Sequence, residues 1–224
     1  GENEVDQIAL FNNVPGVDAL VPGEGEIGFV NILKFVSENG AVDKRTPIQN
    51  AILWDDRLVY NKGKKREVLD LNSLDSPYLT GALTSFMQPP FQYMIQTTRG
   101  CPYTCTFCVK GADITKVRKF PLTLVKSELI YLAKQLGKSS ALSLFVVDDN
   151  FGIFKEDIPI AESVIRTYKE LGYPTSVGFY TNKRVTEITK KVSYILRDIQ
   201  EVYFISLQSD NPEVLKHVKR KNVP

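Results

Sequence analysis

The chain has 224 residues, 43% of them hydrophobic, which is enough to bury one sizeable core or one core and part of another. Its 28 basic and 26 acidic residues give a net charge of +2, which supplies no electrostatic footprint for nucleic acid or an anionic membrane. No apolar run approaches the roughly 20 residues that span a bilayer, and the acidic start lacks a signal peptide's basic flank, so we expect a soluble, cytoplasmic protein.

Residues 1–90 form an irregular α+β segment in which glycine and proline turns separate short elements. Apolar residues at helical spacing predict one helix at about residues 27–37. Two short apolar runs around a polar turn predict a hairpin at residues 52–60, with Trp54 packed in it. Residues 69–90 are expected to be an extended connector, so this segment is not expected to be a self-sufficient domain.

Strand and helix patterns alternate from residue 91 onward, which predicts an α/β fold with a parallel sheet. The predicted strands are residues 91–98, 142–148, 175–181 and 201–207. The predicted helices are residues 122–136, 158–171, 186–198 and 212–220. Four such units would leave a (β/α) barrel unfinished, so we expect residues 91–224 to be an incomplete domain of a longer protein.

All three cysteines lie within eight residues, as Cys101, Cys105 and Cys108, after the first strand of this predicted sheet. Sites in α/β folds are built where strands end at their carboxyl side. An odd number of thiols at this short spacing disfavours disulfides, so we interpret them as reduced ligands or nucleophiles. Iron–sulfur clusters usually take four thiolates, and three would leave one iron free to bind a small molecule.

Two other chemistries would use the same thiols. Zinc needs four ligands, or three and a water, and the single histidine, His217, is far away in sequence. A redox pair formed by Cys105 and Cys108 would leave Cys101 without a role. Both alternatives stay open. A third interpretation, that the cysteines are inert core residues, is disfavoured because Pro102 and the threonines between them do not form an apolar stripe.

The segment CPYTCTFC, residues 101–108, matches the C-x-x-x-C-x-x-C signature of the radical S-adenosylmethionine enzymes. The resemblance implies a partial TIM-type barrel and a 4Fe–4S cluster ligated by Cys101, Cys105 and Cys108. It also implies that S-adenosylmethionine binds the free iron and is reductively cleaved to a 5′-deoxyadenosyl radical, with Phe107 packed near the adenine. The partners it implies are a small-molecule substrate and an external electron donor of the flavodoxin or ferredoxin type.

Further residues fall where this family contacts S-adenosylmethionine. Residues 148–150, Asp-Asp-Asn, stand in place of the family's Gly-Gly-Glu, and the resemblance implies contacts from Asp149 and Asn150. After the fourth predicted strand, it implies that Ser206 and Gln208 contact the ribose or the carboxylate. The alternative is that these polar residues belong to loops that cap the helices which follow.

Residues 16–26 and 71–81 resemble the end of the cobalamin-binding domain, and the linker, that precede many radical S-adenosylmethionine cores. Residues 1–90 would then be the tail end of that domain plus the linker. The D-x-H-x-x-G motif is absent from this sequence and His217 is misplaced for an axial ligand, so cobalamin is implied only for a full-length protein.

We therefore expect the core of a cobalamin-dependent methyltransferase-like radical enzyme. The alternatives are a methylthiotransferase-like radical enzyme and a noncatalytic binding module whose loop is stapled by a metal. The basic run at residues 219–221 is interpreted as solvated surface that closes the last helix, where cations complement the helix dipole.

Overall fold

The computed structural model describes residues 4–60, 68–88, 91–108, 116–137, 143–181, 184–200 and 207–220. The chain divides into two compact units, Gly1–Asp70 and Leu71–Pro224. The segment predicted to be a connector falls almost entirely within the second unit. Within the described residues, no helix is long and apolar enough to cross a bilayer.

The first unit combines two helices with a small antiparallel sheet. Its elements are α1 (Glu4–Asn13), β1 (Ala19–Leu20), α2 (Gly25–Asn39), β2 (Ile52–Trp54) and β3 (Leu58–Val59). The sheet order is β1-β2-β3, so the predicted helix and hairpin are confirmed. Helix α1 is missing from the prediction because Ile8 and Leu10 are exposed and no apolar stripe marks it. Trp54 packs on this helix, with its ring stacked 5.5 Å from that of Phe11.

Helix α2 passes very close to the loop before β2. A Cβ added at Gly28 would lie 2.5 Å from the carbonyl oxygen of Asn50 and 2.4 Å from a methyl carbon of Val21. Real Cβ atoms do not approach backbone oxygen so closely, so only glycine permits this packing. The contact places the helix against the core formed by Leu53 and its neighbours.

The second unit contains the predicted parallel sheet. Its strands are β4 (Tyr93–Ile95), β5 (Thr98–Arg99), β6 (Arg118–Lys119), β7 (Ser143–Phe151) and β8 (Ser176–Thr181). Its helices are α3 (Leu122–Leu136), α4 (Asp157–Leu171), α5 (Glu187–Leu196) and α6 (Pro212–His217). Strands β4, β7 and β8 are parallel in the order β4-β7-β8, which confirms the α/β class and the predicted parallel sheet.

The structure describes only the last residue of the fourth predicted strand, Leu207. A parallel bridge joins Val177 of β8 to Gln200, next to where that strand was predicted to start. Residues 201–206 lie outside the described part of the chain. The helices predicted before and after this strand are both present, although α6 ends three residues earlier than predicted.

One face of the sheet is buried by helices because apolar residues recur at the matching periods. Alternate residues of β7 and β8 are inaccessible to solvent, as at Leu144, Val146 and Val177. In α3 the buried residues recur every three or four positions, as at Leu129 and Leu132, which gives one apolar stripe. Helices α3 and α4 also pack against each other over this face.

A tyrosine from the segment before β4 covers the strand's outer edge. The Tyr78 hydroxyl donates to the carbonyl of Met94 at 2.7 Å and accepts from the Met94 N–H at 3.2 Å. The side chain thus takes the place of a neighbouring strand for one residue of β4. Tyr93 adds a bond from its hydroxyl to the carbonyl of Phe86, at 3.2 Å.

The start of α4 is organised by one buried carboxylate. An oxygen of Asp157 accepts hydrogen bonds from the backbone N–H groups of Gly152, Ile153 and Phe154, each at 2.9 Å. These bonds favour the ionised form, but burial outweighs them and raises the pKa of Asp157 to about 6. The nearby Asp148 carboxylate pushes this pKa in the same direction.

Replacing Gly28 by alanine should destabilise the first unit, because the new methyl group meets the Asn50 carbonyl. We expect Gly28→Ala to lower the free energy of unfolding by about 1–3 kcal/mol. Urea unfolding followed by the fluorescence of Trp54, the chain's one tryptophan, reports on this unit. The matched control is Gly25→Ala in the first turn of the same helix, where nothing lies within 4 Å and alanine should be neutral or stabilising. Equal losses of stability in the two variants would contradict the close approach.

The Asp157 carboxyl should make stability fall with rising pH over a defined window. An unfolded aspartate releases its proton near pH 4, whereas folded Asp157 keeps it up to a pKa of about 6. Between these values the folded state binds more protons, so the free energy of unfolding falls as pH rises, by up to about 3 kcal/mol.

The measurement is the difference in unfolding free energy between the parent and Asp157→Asn from pH 4 to pH 7. Asparagine keeps an acceptor oxygen for the backbone N–H groups but cannot ionise. The other buried carboxyls are present in both proteins, so the difference reports the titration of Asp157 together with its coupling to Asp148. We expect the parent to lose stability relative to the variant as pH rises, and a constant difference would contradict the assignment.

Candidate functional site

The cysteine loop leaves the sheet through a short ribbon. After β4 the chain turns into β5, which pairs antiparallel with β6, as Thr98 with Lys119 and Arg99 with Arg118. The Phe120 N–H donates to the Thr97 carbonyl at 3.0 Å and closes the base of the loop. The prediction of one continuous strand at residues 91–98 is therefore wrong, because the chain changes partner strand after β4.

A buried carboxylate from the neighbouring strand fixes this change of direction. Asp148 of β7 is only 1% exposed. It accepts hydrogen bonds from the Thr97 N–H at 2.7 Å, from the Thr97 hydroxyl, and from the Thr98 hydroxyl at 2.8 Å. Burial raises the pKa of Asp148, and the bonds from the two threonines oppose that rise. The loop therefore starts from a point defined by a residue about fifty positions away in sequence.

The end of β7 is irregular where it faces the cysteine loop. Val146 pairs with Phe179 and Phe151 pairs with Thr181, so β7 advances farther than β8 between these two pairs. Such irregularities re-aim side chains and are frequent beside active sites. Here the amide nitrogen of Asn150 lies 3.3 Å from the sulfur of Cys101 and donates to it.

Residues 148–150 belong to strand β7, so the alternative that they cap the next helix is wrong. Helix α4 begins at Asp157, whose own carboxylate binds the N–H groups before the helix. Asp149 is half-buried in the same strand. Its contact with S-adenosylmethionine, and that of Asn150, stay predictions.

The other half of the loop contacts residues near the chain's carboxyl end. The Thr106 N–H donates to the carbonyl of Val218 at 3.2 Å. A guanidinium nitrogen of Arg220 lies 3.9 Å from the sulfur of Cys105, and the guanidinium carbon lies 5.8 Å from the ring centre of Phe107. Arg220 is half-buried. Its interpretation as solvated surface is therefore wrong, while Lys219 is exposed as expected and Lys221 lies outside the described residues.

Among the described residues, no hydrogen bond joins the other predicted contact residues, Phe107 and Gln208, to a cysteine. Gln208 is exposed and has a backbone φ of 67°, in the left-handed region. Ser206 lies outside the described residues. Phe107 is 51% exposed and lies against Arg220. Its packing near an adenine stays a prediction, as do the contacts of Ser206 and Gln208.

The three thiols fit the donor set of an iron–sulfur cluster. None is in a disulfide; Cys105 is buried and Cys101 and Cys108 are half-buried. Over the described ranges, no three His, Cys, Asp or Glu side chains are grouped to hold a single metal ion. A four-iron cluster does not require that convergence, because each of its cysteines ligates a separate iron.

The cysteine loop has the spacing C-x-x-x-C-x-x-C and follows the carboxyl end of the first parallel strand, in a sheet that helices cover on one face. This combination defines the core of a radical S-adenosylmethionine enzyme. Residues 95–224 match the sequence profile of the radical SAM superfamily, where SAM denotes S-adenosylmethionine. The chain belongs to this superfamily. Membership implies a 4Fe–4S cluster and S-adenosylmethionine as cofactors.

Two curated relatives are methyltransferases. The cobalamin-dependent radical SAM methyltransferase TokK of Streptomyces tokunonensis is 30% identical over 225 residues, which cover 96% of this chain and 32% of TokK. The 2-(S-pantetheinyl)-carbapenam-3-carboxylate methyltransferase of Streptantibioticus cattleyicolor is 30% identical over 226 residues, with the same coverage of 96% and 32%. The chain thus spans about a third of the length of these relatives.

A solved structure shows the same fold. The apo form of OxsB, a cobalamin-dependent S-adenosylmethionine radical enzyme, superposes with a TM-score of 0.66 at 15% identity, covering 96% of this chain and 31% of OxsB. The form with aqua-cobalamin and S-adenosylmethionine bound gives a TM-score of 0.61. At this level of identity, the likeness supports the partial-barrel fold alone.

Removing the Asp148 carboxylate should loosen the start of the cysteine loop. We expect Asp148→Ala to lower the free energy of unfolding by about 2–4 kcal/mol, because one buried N–H and two hydroxyls lose their acceptor. Hydrogen exchange of the Thr97 amide measures the effect locally, and this amide should exchange much faster in the variant.

Thr98 supplies a graded comparison for that variant. Thr98→Val removes one hydrogen bond to Asp148 and should cost about 1 kcal/mol, whereas Thr98→Ser keeps the hydroxyl and should cost less. If Thr97 exchange is the same in Asp148→Ala as in the parent, the carboxylate does not anchor the loop.

Proposed function

We propose that this chain is the S-adenosylmethionine-cleaving core of a cobalamin-dependent radical methyltransferase. In this proposal Cys101, Cys105 and Cys108 ligate a 4Fe–4S cluster. The observation that supports it most directly is the contact between the cysteine loop and the end of the next parallel strand, through Asp148 and Asn150, in a member of the radical SAM superfamily.

The cluster, together with S-adenosylmethionine, would supply reductive cleavage to methionine and a 5′-deoxyadenosyl radical. The polypeptide's part is to hold and orient. Asp148 fixes where the loop leaves the sheet, and Asn150 donates an N–H to the sulfur of Cys101. Such outer hydrogen bonds orient metal ligands and tune their electron density.

The proposed contacts to S-adenosylmethionine complete the site. Asp149 and Asn150 would approach it from the end of β7, and Phe107 would pack near its adenine. Ser206 and Gln208 would approach from the end of the fourth strand. The reducing electron would come from a flavodoxin-type or ferredoxin-type donor.

Cobalamin and methyl transfer are proposed for the full-length protein. The support is that TokK is named as a cobalamin-dependent methyltransferase and that 96% of this chain aligns with it. The chain's single histidine, His217, is exposed, and its ring nitrogen lies 2.7 Å from the Glu213 carbonyl. The substrate is proposed to be a small molecule.

Anaerobic reconstitution with iron and sulfide tests the cluster. We expect about four irons and four sulfides per chain, and loss of most of this iron in Cys101→Ala, Cys105→Ala and Cys108→Ala. The matched control is Thr104→Ala, an exposed non-ligand in the same loop, which should load as the parent does. Iron content, sulfide content and the electron paramagnetic resonance spectrum of the reduced protein are the readouts.

Three results would overturn parts of this assignment. A chain that takes up one zinc in place of iron would favour a metal-stapled binding module. A loaded, reduced full-length protein that makes no 5′-deoxyadenosine would exclude the radical activity. A full-length protein that makes 5′-deoxyadenosine but never transfers the deuterated methyl group of labelled S-adenosylmethionine to a product or to bound cobalamin would exclude the methyltransferase assignment.

A further inference from the structure

Hydrogen bonds cap both ends of α6, the helix that precedes Arg220. At its start, the Asn211 side chain accepts hydrogen bonds from the N–H groups of Glu213 and Val214, at 2.9 and 3.4 Å. Pro212 occupies the first turn, where its missing N–H costs nothing. The helix is short, but its first turn is capped.

At the other end, the chain forms a Schellman motif. The Arg220 N–H donates to the Leu215 carbonyl at 2.8 Å, and the Lys219 N–H donates to the Lys216 carbonyl at 3.2 Å. These are the two bonds that define the motif. Lys219 occupies the left-handed position, with a φ of 52°, where glycine is usual. A lysine in this conformation carries backbone strain, which the two bonds offset.

The motif reverses the chain so that the Arg220 side chain returns to the cysteine loop. Its guanidinium lies beside the Cys105 sulfur and against the Phe107 ring, at 3.9 Å and 5.8 Å respectively. The bond from the Thr106 N–H to the Val218 carbonyl ties the same two segments through the backbone. Three consecutive loop residues, 105–107, are thus contacted by residues 218 and 220.

The charge of Arg220 gives this contact a chemical consequence. A guanidinium stays protonated at any physiological pH. A half-buried cation is screened by solvent less than an exposed one, so it acts more strongly on neighbouring charge. Reduction adds one negative charge to a thiolate-ligated cluster, and a cation beside one ligand sulfur favours the more negative state.

We propose that Arg220 is a positioning residue of the cluster site. It packs residues 105–107 of the cysteine loop, and its charge raises the reduction potential of the cluster that Cys105 helps to ligate. The electron itself comes from the external one-electron donor. This inference rests on the proposed function for its redox part, whereas the packing part concerns the polypeptide alone.

Potentiometric titration of the reconstituted protein, followed by electron paramagnetic resonance, tests the charge effect. We expect Arg220→Gln to shift the reduction equilibrium toward the oxidised cluster by up to about tenfold, which is about 59 mV for one electron. Arg220→Lys keeps the charge and should shift it less. The matched control is Lys216→Gln, which removes an exposed charge from the same segment and should leave the potential unchanged.

Hydrogen exchange in the cluster-free chain tests the packing independently of any activity. The Thr106 amide, bonded to Val218, should exchange at least tenfold faster in Arg220→Gln than in the parent or in Lys216→Gln. The amide of Gly172, which donates to the Tyr168 carbonyl at the end of α4, is an internal reference and should not change.

The outcomes separate this inference from the proposed function. A parent chain that never loads iron overturns the proposed function and the redox part together, while Thr106 exchange still decides the packing part. A loaded parent whose potential is the same in Arg220→Gln overturns the charge effect. If Arg220→Lys shifts the potential as far as Arg220→Gln does, charge is not the cause. Unchanged Thr106 exchange in Arg220→Gln overturns the packing.

Discussion

The buried Asp148 carboxylate is the interaction on which the site depends. A carboxylate that is 1% exposed is costly unless it is hydrogen-bonded, and here two threonines supply an N–H and two hydroxyls. These donors sit where the chain leaves the parallel sheet for the β5-β6 ribbon. Moving Thr97 or Thr98 by one residue would break the bonds, so the carboxylate fixes the register at which the cysteine loop begins.

The described part of the loop, residues 100–108, contains no helix or strand, and distant elements organise it from two sides. Asn150 of β7 contacts Cys101 at its beginning, and the segment after α6 contacts residues 105–107 in its middle. Catalytic groups that are already held in the right geometry lower the barrier of a reaction. The two side-chain contacts to the cysteine sulfurs differ in charge. A neutral amide donor faces one sulfur and a cation faces another, so two of the three thiols lie in different electrostatic surroundings.

Local patterns could be predicted from the sequence, and long-range placements could not. Each local pattern depends on residues that are close together in the sequence, as in the cysteine spacing, the alternation of strands and helices, and the hairpin at residues 52–60. The structure confirms that alternation and the hairpin. The role of Asp148 depends on the pairing of β4 with β7, which no local pattern specifies. Arg220 was missed for a different reason, because the turn that directs it has lysine where glycine would have signalled a Schellman motif. The one available signal was the Asn-Pro pair that starts α6, which predicts a helix but not where its end points.

Two buried carboxylates bracket the irregular end of β7, and they are electrostatically coupled. Asp148 anchors the cysteine loop and Asp157 anchors the start of α4, and the charge of Asp148 raises the pKa of Asp157. Ionising one therefore makes ionising the other less favourable, even though each has its own hydrogen-bond donors. Because the two share this interaction, the cost of removing Asp148 is not the sum of its three lost bonds: relief of the repulsion on Asp157 offsets part of it. The pKa of the carboxyl that anchors the start of α4 therefore depends on the charge of the residue that anchors the cysteine loop.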